Sequence, residues 1–192
     1  MSGILIGLTG ATGVGKDTIA KMLMEARGAV RLAFGDPVKA AAREAFGLEP
    51  KWLTDSAKTT VHPYWGITPR EMYQRLATEA MRGEFGQDFW VRRLQQDYEA
   101  VRALDVNRMI VITDVRFNGE DTERNWVRAQ GGFIVHVNGP QRREDINHNH
   151  VSNTPILRES DDLVLDNFGT VDGLAMKTGM LLAQIERRMR DA

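Results

Sequence analysis

Apolar residues along this chain follow two rhythms, short unbroken runs and a three-to-four-residue spacing, and the two alternate. Residues 4–8 form a strand-sized run, after which Ile19, Met22, Leu23 and Ala26 recur at helical spacing. Residues 30–34 predict a second strand, and Asp36-Pro37 reads as an N-cap and first helical residue opening a helix to about Phe46. Residues 47–68 carry Gly, Pro, Trp and His without a period and read as a loop-rich insertion. Thr68-Pro69-Arg70-Glu71 has capping-box spacing and predicts a helix to about Arg82, with Met72, Leu76 and Ala80 on one face. Further helices are expected over 87–104, 120–130 and 170–189, and strands over 109–113, 133–137 and 163–165. Strands alternating with helices imply an α/β fold, a parallel sheet covered on both faces.

The length of 192 residues suits one such domain, with a core of residues 1–46, 105–138 and 163–192, a helical insertion over about 47–104, and a lid over about 139–162, a segment rich in charge, Asn and His. Basic and acidic residues balance at 25 and 26, so no global field suggests a nucleic-acid polymer or a membrane surface as partner. The absence of cysteine excludes disulfides, thiolate catalysis and Cys-ligated zinc. Apolar stretches are strand-sized and the start of the chain lacks a signal-like pattern, so a cytoplasmic protein acting on small molecules is expected, with a homodimer left open.

The strongest chemical signal is Gly10-Ala11-Thr12-Gly13-Val14-Gly15-Lys16-Asp17-Thr18, between the first strand and the first helix. A glycine-rich turn there converges backbone N–H groups on phosphate oxygens, the helix start adds its dipole, and Lys16 reaches the β- and γ-phosphates. The residue after the lysine is Asp17 rather than Ser or Thr, so metal ligation stays open between Asp17 and Thr18. The run over 109–113 delivers Asp114 to the same end of the sheet, where it orients Mg²⁺ through water or merely caps the strand's exit. Arg116 follows, a phosphate ligand or a surface ion-pair partner.

Arg70, Gln74, Thr78 and Arg82 recur at steps of four, making one polar stripe, either an acceptor site or a solvated face. Arg142 and Arg143 lie in the expected lid, where arginines would neutralise charge on a transferring phosphoryl group. His148 and His150 have metal-like spacing but no completing ligand, and Trp90 is either packing or the floor of an acceptor pocket.

Several segments together resemble the phage-type deoxynucleoside monophosphate kinases. The Gly15-Lys16-Asp17-Thr18 form is similar to theirs, as are Phe34-Gly35-Asp36-Pro37-Val38-Lys39, the Pro69-Arg70 helix with Gln74, Leu76, Thr78, Glu79 and Arg82, Asp114-Val115-Arg116-Phe117, and His150-Val151-Ser152. Ala77, Asn118, Gly119 and Asn153 depart from the pattern. The resemblance implies a P-loop kinase fold, a three-layer α/β/α sandwich with an acceptor-binding insertion and a lid, that moves the γ-phosphoryl of ATP onto a deoxynucleoside monophosphate with Mg²⁺. It implies an acceptor site drawn from Asp36, Lys39, Arg70, Gln74, Thr78, Arg82, Trp90 and Arg116, with Arg116, Arg142 and Arg143 joining Lys16 at the transferring group. A kinase for another small metabolite, such as a dephospho-coenzyme A type substrate, and a non-enzymatic nucleotide switch are the rival readings.

Overall fold

The computed structural model describes residues 3–54, 56–116, 123–140 and 156–191. In chain order these form β1 (Leu5–Thr9), α1 (Lys16–Arg27), β2 (Val30–Leu32), α2 (Gly35–Phe46), two 3₁₀ turns (Pro50–Leu53 and Ala57–Thr59), and α3 (Pro69–Gln74). A π-helical stretch (Arg75–Arg82), a short α4 (Gly83–Phe85) and α5 (Phe89–Leu104) follow. Then come β3 (Ile110–Ile112), α6 (Glu123–Ala129), β4 (Phe133–Asn138), β5 (Leu163–Asp166) and α7 (Val171–Asp191). The chain divides into two compact units, Met1–Ala33 with Gln95–Ala192, and Phe34–Leu94.

The first unit holds a parallel sheet in the order β2-β3-β1-β4-β5. Ile6 of β1 sits opposite Val111 of β3 and Phe133 of β4, so the central strand is buried throughout and has to be apolar on both sides. Ile6 and Leu8 pack with Ile19 and Leu23 of α1 and Leu174, Leu182 and Ile185 of α7 in one core cluster. On the other face Val115, Ile134 and Val127 of α6 close over Gly7. Each fully buried Ile or Leu here contributes about 1.5–3 kcal/mol. This is a three-layer α/β/α sandwich. No described helix is long and apolar enough to cross a membrane.

The chain runs from β1 to the β2 edge, returns to β3, and then crosses β1 to add β4 and β5. Sheet order therefore reverses at β1, and in open α/β sheets the crevice beyond the carboxyl end of a strand at such a reversal takes the ligand. The segment leaving that end is residues 10–15.

In the second unit, Thr68 caps α3 as expected: the Glu71 N–H donates to Thr68 Oγ1 at 3.1 Å and the Thr68 N–H to Glu71 Oε2 at 2.8 Å. The Thr68 backbone bond, then its hydroxyl, hold the Glu71 carboxyl below its ordinary range. Two expectations need correction. Asp36 is not an N-cap, because α2 begins one residue earlier on a Phe34 that itself has helical dihedrals; Asp36 lies in the first turn, where an anion suits the helix dipole, and pairs with Lys39 at 3.3 Å. The helix from Pro69 is not α-helical to Arg82 but widens into a π-helix after Gln74. A π turn holds more residues than an α turn, and the widened stretch has partners outside itself. The Trp90 indole N–H donates to the Ala77 carbonyl at 2.9 Å, and Arg82 Nη1 donates to the Gln87 carbonyl at 2.9 Å.

Candidate functional site

The glycine-rich loop expected to hold phosphate is built by the strand it leaves and the helix it opens. Gly10, Gly13 and Gly15 all adopt positive φ, which side-chain-bearing residues rarely do. A Cβ on Gly10 would lie 2.3 Å from the Val137 carbonyl oxygen, so β4 passes too close for any other residue. Val14, 2% exposed, sinks into the core between α1 and α7 and anchors the middle of the loop.

Lys16 is the first residue of α1, and its ammonium donates to the Gly10 and Ala11 carbonyls, at 2.7 Å each. The side chain thus reaches back across the loop it terminates. Burial, then the neighbouring Arg116 guanidinium, bring its pKa from 10.5 down to about 8, while Asp17 and Asp114 pull the other way. Lys16, Arg116, Asp17 and Asp114, separated by up to a hundred positions in the sequence, are electrostatic neighbours. Residues past β3 reach this end because the Thr113 N–H bonds the Leu32 carbonyl and the Val115 N–H the Leu8 carbonyl, carrying the ladder to the loop. The Arg116 N–H donates to Glu123 Oε2 at 2.8 Å, tying the backbone to the start of α6. Asp17 is exposed and lies 3.6 Å from Arg31 Nε of β2, a partner that its position beside Lys16 did not suggest. Thr18 is exposed on α1.

Asp36, Lys39, Arg70, Gln74, Thr78, Arg82 and Trp90 fall in the second unit. Arg70 and Gln74 are half-buried on α3, and Thr78 is half-buried in the π-helix. Four α-helical residues overshoot one turn, whereas four residues of a π-helix fall short of one, so the widening checks the angular drift of the stripe. Arg82 and Trp90 are 5% and 3% exposed, each with a polar hydrogen on a backbone carbonyl. Asp36 is half-buried and Lys39 exposed. Arg142, Arg143, His148 and His150, with most of the expected lid, lie outside the described residues, as do Phe117, Asn118 and Gly119.

Residues 52–178 match the family model described as deoxynucleotide monophosphate kinase. The chain belongs to that family. This kinase is 28% identical over 179 residues, 88% of its own chain and 91% of the other, to a protein of Acanthamoeba polyphaga mimivirus provisionally named a deoxynucleotide monophosphate kinase. Solved structures sharing its fold include TT1252 from Thermus thermophilus, at TM-score 0.55 and 23% identity over 96% of this chain and 98% of that one. Dephospho-CoA kinase from Campylobacter jejuni aligns at TM-score 0.51 and 9% identity, over 95% and 97% of the two chains. The fold is that of P-loop kinases, and the enzyme is a phosphotransferase that phosphorylates deoxynucleoside monophosphates from a nucleotide donor. The matched span begins after residues 10–18, so the family match does not rest on the glycine-rich loop.

Two features of the first unit escaped sequence reasoning. Asn167, just beyond β5, donates from its side-chain amide to the Val14 carbonyl inside the phosphate loop. Asp162, just before β5, gathers Arg124, Arg128 and His136 around one buried carboxylate. For Asn167 a signal was present, since Asp166-Asn167-Phe168-Gly169 follows a parallel strand at its carboxyl end, where ligands bind. For Asp162 there was none.

Proposed function

We propose that the donor is ATP with magnesium, held by residues 10–18, and that Lys16 and Arg116 neutralise the phosphates that change charge during transfer. The observation that carries this reading is the Lys16 ammonium, stretched across the loop with Arg116 near enough to disfavour its charge. Two cations in mutual repulsion beside a turn rich in backbone donors make a site that a polyanion relieves. Magnesium takes one or two protein carboxylates together with phosphate oxygens, and Asp17 and Asp114, both close enough to Lys16 to stabilise its ammonium, fit that donor set, with Thr18 as the neighbouring hydroxyl. When bound, the ion supplies charge neutralisation between the β- and γ-phosphates.

The acceptor is a phosphate monoester, largely dianionic at neutral pH because its second pKa is about 6. One of its own oxygens attacks the γ-phosphorus, the bond to the bridging oxygen breaks, and ADP departs with that electron pair, so no general base is needed. The protein's task is to hold two polyanions in line. Arg70 is proposed to bind the acceptor phosphate and Gln74 a base edge, with Thr78, Asp36 and Lys39 completing the recognition surface. Arg82 and Trp90, buried and bonded to backbone, support that surface from within. Arg142 and Arg143 keep the role implied for them over the transferring group. The balanced charge of the chain favours free nucleotides in the cytoplasm over a polymer.

A coupled ADP-release assay over all deoxy- and ribonucleoside monophosphates, with dephospho-coenzyme A as a further acceptor, tests the reading. Turnover confined to deoxynucleoside monophosphates is expected, and turnover only with dephospho-coenzyme A would overturn it. Arg70→Ala is expected to raise the acceptor KM through loss of a charge-assisted contact worth about 1.5–3 kcal/mol, leaving the ATP KM near its starting value. Equal weakening of both substrates would place Arg70 away from the acceptor.

A further inference from the structure

Asn167 touches the phosphate loop without belonging to it. Its side-chain Nδ2 donates to the Val14 carbonyl at 2.8 Å, and the amide has to be the donor there because a carbonyl oxygen only accepts. Its own place is set by the sheet: the Asn167 N–H donates to the Asn138 carbonyl at 2.7 Å, one residue beyond the Asn138–Asp166 pairing of β4 and β5. The neighbouring strand ends are also tied together, with Asn138 Nδ2 on Asp166 Oδ1 at 2.9 Å and Lys177 Nζ of α7 on the Asp166 carbonyl at 2.7 Å. Close approach to the loop is built in, because a Cβ on Gly15 would lie 2.5 Å from the same Asn167 Nδ2.

The Val14–Gly15 peptide is a rigid trans plane, so its C=O and N–H point in opposite directions. Holding the Val14 oxygen on Asn167 turns the Gly15 N–H away from Asn167, and Gly15 is the residue that caps α1 immediately before Lys16. A loop that binds phosphate with its backbone needs such N–H groups aimed before the ligand arrives, since a donor that must reorient during transfer loses much of its value. We propose that Asn167 is a positioning residue for phosphoryl transfer, which fixes the Val14–Gly15 peptide so that the Gly15 N–H faces the donor phosphates. Asn167 touches no reacting atom and acts through the peptide it holds. The inference rests on residues 10–18 being the donor site.

The test compares wild type, Asn167→Ala and Asn167→Asp. The aspartate keeps the size but has no hydrogen to donate and sets a carboxylate against the Val14 oxygen; the alanine removes both effects and covers the case in which the aspartate fails to fold. Titration calorimetry with a non-hydrolysable ATP analogue and separately with adenosine, which lacks phosphates, is read beside thermal unfolding and kcat. Affinity for the analogue is expected to fall about tenfold to a hundredfold, the scale on which small misplacements act, with adenosine affinity unchanged and kcat at saturating substrates reduced. Analogue affinity within twofold of wild type overturns the inference, and so does an equal loss of adenosine and analogue, the mark of a merely structural role. Lys16→Ala separates the two levels: if it weakens the analogue while both Asn167 variants do not, only this inference fails, and if it also leaves the analogue unaffected, the donor reading fails with it.

Discussion

Lys16→Ala is expected to lower kcat by roughly 10²- to 10³-fold, the usual result of removing a group aimed at charge that develops during reaction, while the protein stays folded. The side chain's described bonds run to the Gly10 and Ala11 carbonyls, within the loop itself. Core anchoring of the loop comes instead from Val14. The same lysine makes donor binding pH-dependent. Its pKa of about 8 in the free protein is lowered first by burial and then by Arg116, and phosphate oxygens favour the ammonium, so binding must raise it. The enzyme should therefore take up protons on binding the donor near pH 8, and donor affinity should decline as pH rises through that value. Calorimetry in two buffers of different ionisation enthalpy reads this uptake directly. Wild-type turnover in the alanine variant, or unchanged proton uptake, would remove Lys16 from the donor site.

Asp162→Ala is expected to be the most destabilising of the substitutions considered. The Asp162 side chain is 1% exposed, 3.4 Å from Arg124 Nη2, 2.6 Å from Arg128 Nη2 and 2.9 Å from His136 Nε2, and it accepts the Glu159 N–H at 2.9 Å. Arg124 also pairs with Glu159, and Arg128 with Glu159 and Asp161. One carboxylate thus joins α6, β4 and the turn that enters β5. Removing it leaves the Arg124 guanidinium, 6% exposed, with the half-exposed Glu159 as its remaining counter-charge, so the loss should fall below the roughly 3–5 kcal/mol of stranding a buried charge outright. Burial pushes the Asp162 carboxyl up, but the Glu159 amide, Arg128, His136 and Arg124 outweigh it and hold the pKa below its ordinary value. A depressed carboxylate pKa stabilises the fold above the unfolded-state pKa of about 3.9, and that contribution disappears as pH falls through the lower folded value. Denaturant unfolding at neutral pH should show the loss, and the acid-induced fall in stability should be shallower in the variant. Matching curves for variant and wild type would mean that the cluster has no net effect.

The sheet and its helices were legible because burial on one or both sides writes a period into the chain: residues 4–8 and 109–113 are runs, and Ile19, Met22 and Leu23 are a stripe. The glycine-rich turn that opens α1 was legible because its glycines and Lys16 are contiguous. Asp36 was misread because Asp-Pro suits an N-cap in isolation, whereas the chain before it already has helical dihedrals. The π-helix left no sequence mark, since its partners at Trp90 and Gln87 are fixed only after folding. Asn167 and Val14 are 153 positions apart, and Arg124 and Asp162 are 38. Such pairs are invisible to local pattern because neither member alters the spacing around the other.

The widened helix also bears on how this segment tolerates changes of length. A π-helical stretch amounts to an α-helix with more residues than its turns need, so deleting one exposed residue such as Ala80 would let the backbone close into ordinary α-helix without a gap. Because the widened turns are what absorb the surplus residue, its loss would leave Arg70 and Gln74 facing much as before; what would go is the local widening in which the Ala77 carbonyl meets the Trp90 indole N–H. A deletion here would therefore leave a sound helix with its polar stripe in place, at the expense of the contact that seats Trp90.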